Sequence, residues 1–276
     1  MSGRLWHTLV KASDEARPER LVLFLHGILG SGSNFRSFAK RFVTEHPAWG
    51  ALLVDLRMHG QSQHLPPPHT VAAAASDVLA LLPSLPQPLD AIVGHSFGGK
   101  VTLELVRAMQ GDLARAVVLD ATPGPRLDAR GSETTVAVVE LLGRLTGPFP
   151  TREAFVDRVV AEGHARPFAQ WLAMNLARSE DALRLRLDLG AIRALLDDYF
   201  ALDLWPVLEA PPGRVRFDVV IGGRSGVFDA GDRARAERIA GASGGRVAVT
   251  VLPDAGHWVH VDDPEGTFEV VRRALC

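Results

Sequence analysis

Gly94-His95-Ser96-Phe97-Gly98 sets a serine between two glycines, each two residues away. The apolar run Ala91-Ile92-Val93 precedes it, and Gly98-Gly99-Lys100 begins a helical pattern. A serine at the apex of such a strand–turn–helix is lifted above a sheet, with the helix N-terminus aimed at it. Backbone N–H groups and the helix dipole there favour a developing oxyanion. Side chains in place of the glycines would strike neighbouring backbone in so sharp a turn. The chemistry is nucleophilic attack by a hydroxyl on an acyl carbonyl, which requires a base. His257, in Ala255-Gly256-His257-Trp258, follows the apolar run 247–252 and is the candidate. Imidazole titrates near neutrality, so it can take the serine proton and return it to a leaving group. His260 is assigned a structural or solvent-facing role.

An acid must orient that imidazole, and two places could supply it. Asp120 ends the run 116–119, at the sheet edge where active-site groups gather. The other place is the loop after 217–221, where Ser225 stands in a position commonly held by Asp, with Asp229 and Asp232 further on. Asp120 is preferred, and Asp229 and Asp232 stay open. Two backbone donors complete the set. The loop His26-Gly27-Ile28-Leu29-Gly30 follows the strand 20–25 and would offer the N–H of Ile28; Phe97 would offer its own N–H. The His26 side chain is expected to brace that loop.

Seven apolar runs must position these groups: 5–10, 20–25, 51–54, 90–93, 116–119, 217–221 and 247–252. Short runs without alternation predict strands buried on both faces, as in a parallel sheet. Helical patterns at 34–45, 71–82, 98–109, 229–240 and 264–275 separate them, the last opened by Asp263 and Pro264. The alternation predicts an α/β sheet covered on both faces. Between 124 and 206 no strand is expected; helices are read at 136–145, 152–162, 167–177 and 192–201. The core is therefore expected at 1–123 and 207–276, with a helical cap (lid) at 124–206. In that cap Phe149, Phe155, Phe168, Trp171, Leu172 and Met174 are mostly packing residues, with one or two facing the serine. Phe97, Trp171 and Trp258 are the expected substrate-binding residues.

The 276 residues carry a net charge of −2, so no basic field points to nucleic acid. The lone Cys276 forms no intramolecular disulfide, and no apolar run suggests a membrane span. The N-terminus, with Asp14, Glu15 and Glu19, reads as neither a secretory signal nor a transit peptide. A soluble, cytoplasmic protein is expected. No zinc or dinucleotide constellation is found, and no cofactor is expected.

With these residues in place, the chain resembles the small esterases of the α/β-hydrolase superfamily, most of all the YbfF-type esterases and related eukaryotic abhydrolase-domain proteins. The likeness is carried in order by 25–31, Asp55-Leu56-Arg57-Met58-His59-Gly60-Gln61-Ser62, 94–100, Val118-Leu119-Asp120-Ala121-Thr122-Pro123, Gly222-Gly223-Arg224-Ser225 and 255–260. Arg57 and His59 are read as loop-structuring. The resemblance implies an α/β-hydrolase fold: a mostly parallel central sheet flanked by helices, with a helical cap. It implies hydrolysis of a small-molecule carboxylic ester, extending to acyl thioesters, through an acyl-serine. It also implies that the acid follows the strand that Asp120 ends. It leaves a mitochondrial or plastid location open. Carbon–carbon bond hydrolases and cofactor-free perhydrolases share such a triad, and a slow-turnover ligand receptor could retain it. Oligomeric state is not legible.

Overall fold

The computed structural model describes residues 4–109, 113–129, 132–145, 147–179 and 181–276. Its frame is a seven-stranded sheet. In chain order the strands are β1 (His7–Val10), β2 (Arg20–Leu25), β3 (Trp49–Val54), β4 (Leu89–His95), β5 (Arg115–Leu119), β8 (Arg216–Gly222) and β9 (Val247–Leu252). Across the sheet the order is β1-β3-β2-β4-β5-β8-β9. Only β1 runs antiparallel, against β3; the other neighbours are parallel.

The unbroken apolar runs follow from burial on both faces. In β2, Val22 and Phe24 enter one core while Leu23 and Leu25 enter the other. In β5, Val117 and Leu119 enter the first, Ala116 and Val118 the second. Helices α1 (Arg36–Glu45) and α11 (Pro264–Leu275) cover the first face with Phe42, Phe268 and Val271. Helices α2 (Val71–Leu81), α3 (Phe97–Met109) and α9 (Ala230–Ala242) cover the other. The helix α11 begins where Asp263 accepts a hydrogen bond from Gly266 N–H and Pro264 takes the first turn.

Between β5 and β8 the chain leaves the sheet. It forms α4 (Glu133–Arg144), α5 (Arg152–Ala161), α6 (Arg166–Leu172), α7 (Leu189–Ala201) and the short α8 (Trp205–Glu209). The expectation of no strand here is corrected. Strands β6 (Leu176–Ser179) and β7 (Ala182–Leu185) form an antiparallel hairpin, extended by a bridge from Phe149 to Leu183. Each strand is four residues long. Such segments are too short to show a period, and the hairpin is completed by pairing with distant Phe149. The helix read at 167–177 accordingly stops at Leu172, passing through a 3-10 turn, Ala173–Asn175, into β6. A further short helix, α10 (Val259–Asp262), precedes α11. No described helix is long and apolar enough to cross a membrane.

Candidate active site

Ser96 follows β4 directly and has φ +53, in the left-handed region. Its N–H donates to the Leu119 carbonyl of β5 (3.0 Å), and its carbonyl accepts from Gly99 N–H (2.8 Å). The flanking glycines are required by contact. A β-carbon on Gly94 would stand 2.2 Å from the Gly98 carbonyl oxygen; one on Gly98 would stand 2.3 Å from that of Leu25. The strained turn is thus held between β4, α3 and β2, and the serine is fixed at the sheet edge.

Asp120 repeats the device one strand over. It follows β5, has φ +45, and its N–H donates to the Val220 carbonyl of β8 (2.8 Å). Its side chain is 0 % exposed. Burying a carboxylate is costly unless it is hydrogen-bonded, and here three donors surround it. Gly222 N–H donates to Oδ1 (2.9 Å); Ser225 Oγ–H (2.5 Å) and His257 Nδ1–H (2.7 Å) donate to Oδ2. With Nδ1 carrying the proton, His257 Nε2 is the acceptor facing Ser96 Oγ at 3.0 Å. The structure therefore brings Ser96, His257 and Asp120 into one continuous line.

Asp229 and Asp232 lie elsewhere. Asp229 caps α9, accepting from Asp232 N–H (2.9 Å). Asp232 pairs with the Arg126 guanidinium and accepts from Thr122 Oγ1 (2.7 Å). Ser225, which stands in the alternative acid position, donates to Asp120, a use that its place in the sequence does not reveal.

Histidines brace the surroundings. His26 Nδ1–H donates to the Gly27 carbonyl (2.7 Å), and its Nε2 accepts Leu56 N–H (3.0 Å), as a neutral ring must. Burial pushes its pKa down to about 4. His59 donates from Nδ1 to the Arg57 carbonyl (2.8 Å), and Arg57 pairs with Asp77 (2.7 Å), so both structure their loop as expected. His95, a partner the sequence did not reveal, donates from Nε2 to the His257 carbonyl (2.8 Å). Burial, then the neighbouring His260 and His257, keep it well below the usual histidine range. His260 stacks on Phe35 with ring centroids 4.8 Å apart, and burial lowers it to about 4.

The Ile28 N–H lies in a turn closed by Gly30 N–H to the Gly27 carbonyl (3.1 Å). Neither it nor the Phe97 N–H donates to another described residue. A cavity of about 200 Å³ opens on Ser96 and His257 and is lined in part by Ile28, Val138, Phe168, Trp171 and Trp258. Trp171 meets Trp258 edge to face, centroids 4.6 Å apart. The Phe97 side chain is a correction. It is 1 % exposed and absent from the cavity lining, because the first turn of α3 directs it into the core toward Tyr199 and His59. Phe155 and Leu172 are packing residues, while Met174 is exposed. Among the described residues no group of three or more His, Cys, Asp or Glu could hold a metal ion.

Comparison with known proteins identifies the family of the fold. Residues 22–270 match the model of the alpha/beta hydrolase family. The sn-1-specific diacylglycerol lipase ABHD11 of Mus musculus is 30% identical over 265 residues, covering 92% of this chain and 80% of the relative. Esterase YbfF of Escherichia coli is 24% identical over 254 residues, covering 92% of each. Among solved structures, a marine microorganism esterase superposes with a TM-score of 0.82 at 22% identity, covering 99% of this chain and 100% of its own. The chain belongs to the alpha/beta hydrolase family and is a hydrolase.

Proposed function

We propose that this chain is a serine esterase that cleaves carboxylic esters of small to medium acyl groups through an acyl-serine. The observation that carries the reading is the line from Ser96 Oγ through His257 to Asp120. Ser96 Oγ attacks the acyl carbonyl while its proton passes to His257 Nε2, and Asp120 holds the imidazolium that results. The N–H groups of Ile28 and Phe97 receive the oxyanion; losing one such donor typically costs ~2.7–4 kcal/mol of transition-state stabilisation. His257 then protonates the leaving alcohol, and water enters by the same route to release the acid. Acyl thioesters pass through the same tetrahedral oxyanion and fall within the proposal.

The relatives' names, a diacylglycerol lipase and an esterase, support an ester substrate. The cavity of about 200 Å³, with aromatic walls, supports an apolar acyl group of limited size. In this reading residues 124–206 form the cap over a core of 1–123 and 207–276, and Trp171 and Trp258 contact the acyl group. The test is fluorophosphonate labelling with p-nitrophenyl ester hydrolysis across acyl lengths, wild type beside Ser96→Ala. Labelling and multiple turnover should both vanish in the variant, and rates should fall for long acyl chains. Labelling without turnover would favour a slow receptor; an unlabelled, folded wild type would defeat the proposal.

A further inference from the structure

We infer that Asn175 is a positioning residue for the oxyanion site, reaching it from the segment between β5 and β8. The inference rests on the reading of the Ile28 N–H proposed above. In the turn from Gly27 to Gly30, Leu29 has φ +61, a conformation that a residue with a β-carbon adopts only under constraint. The Leu29 carbonyl accepts a hydrogen bond from Asn175 Nδ2 at 2.9 Å, across 146 residues of chain. Among the described residues no other donor reaches that oxygen. Asn175 is 3 % exposed, so the contact is buried. The Ile28 N–H lies in the same four-residue turn, so a tie at the Leu29 carbonyl restrains the turn that carries it.

Asn175 is itself tightly aimed. Its backbone carbonyl accepts from Arg186 N–H (3.0 Å), and Arg186 Nη2 donates to the Met174 carbonyl (3.2 Å). The Arg152 guanidinium donates to the carbonyls of Ala173 and, at 3.2 Å, Leu176. Two arginines thus clamp the 3-10 turn whose tip carries the amide. The site needs a donor there: an ionised carboxylate of the same shape would present only acceptors to a carbonyl oxygen.

The test compares Asn175→Ala and Asn175→Asp with wild type, using p-nitrophenyl butyrate kinetics and the affinity of a trifluoromethyl ketone. That inhibitor forms a hemiketal oxyanion on the serine. Asn175→Ala should lower kcat about tenfold to hundredfold, as small misplacements of catalytic groups do. Its KM should stay within about twofold, the mark of an interaction used in the transition state. Inhibitor affinity should fall by the same factor as kcat/KM. Asn175→Asp should be worse than Asn175→Ala at pH 8, and its rate relative to wild type should climb as pH falls and a protonated carboxyl regains a donor. Unchanged kcat in Asn175→Ala, inhibitor affinity that does not follow kcat/KM, or a pH-independent ratio for Asn175→Asp would each overturn the inference. Ser96→Ala separates the two levels. Turnover by that variant removes the underlying reading as well; an inactive Ser96→Ala beside a fully active Asn175→Ala removes the role of Asn175 alone.

Discussion

At the sheet edge, Ser96 and Asp120 are placed by backbone. Each is the first residue past a buried strand, each has a left-handed φ, and each hooks its N–H onto the last turn of carbonyls of the next strand, Leu119 and Val220. The segment between β5 and β8 is tied to the core in another way, by long side chains that reach carbonyls. Lys100, on α3, is 0 % exposed and donates to the carbonyls of Gly124 (2.8 Å), Tyr199 (2.6 Å) and Leu202 (2.8 Å). These mark the beginning and end of the excursion. Asn175 works likewise, reaching from the segment to the Leu29 carbonyl. Backbone placement fixes position to within the strand geometry and depends on no side-chain donor. Side-chain ties are few and separately removable, so single substitutions should loosen this segment while leaving the sheet edge in place.

The largest expected effect tests the sheet edge. Asp120→Asn should cut turnover by ~10⁴, the loss known for the equivalent change in another triad. Asp232→Asn should leave turnover within a few-fold and lower thermal stability, since its partners are Arg126 and Thr122. The reverse ranking in steady-state kinetics would break the distinction. Next, Lys100→Met strips the donor from three carbonyls, two of them in buried contacts. At about 1–3 kcal/mol for each buried unsatisfied group, urea denaturation should show a loss of at least ~2 kcal/mol. A smaller loss would mean that the segment does not depend on this tie. Ser225→Ala removes one charge-assisted bond to Asp120, and should lower kcat about tenfold with little change in KM.

The last effect is gradual, a slope in pH. His26 is buried and His260 half-buried, and both are held at about 4, against 6.5 when unfolded. Above pH 6.5 both states bind no proton and this contribution is full. As pH falls toward 4 only the unfolded state gains the proton, so stability falls by about 1.4 kcal/mol per pH unit for each ring. Denaturation of His260→Gln between pH 6.5 and 4 should show a shallower slope; an unchanged slope would show that this ring does not carry it.

What could be read beforehand divides along the same line. Strands 20–25 and 247–252 and helix 264–275 match the structure to the residue, because apolar runs, N-cap residues and proline are local signals. Ser96 and His257 were legible from glycine spacing and chain order. The acid was not settled by its neighbours: that Asp232 pairs with Arg126, 106 residues away, is a tertiary fact. The visible clue was the Asp229-Ala230-Gly231-Asp232 spacing, which suits a helix start. The Phe97 side chain turns into the core, and adjacency to Ser96 says nothing of which way the first helical turn points. The hairpin β6–β7, the His95 brace and Asn175 all depend on distant partners and left no local trace.

The hooks at Ser96 and Asp120 have a consequence for how such a chain can diversify. The spacing of Ser96 and Asp120 is inherited from the spacing of adjacent strands, as a crystal inherits its repeat. No described residue between 124 and 206 enters that measure. Excursions of other lengths and sequences could be spliced there and give new pockets above the same chemistry. Under the role inferred for Asn175, each replacement would have to bring one thing of its own: a donor for the Leu29 carbonyl.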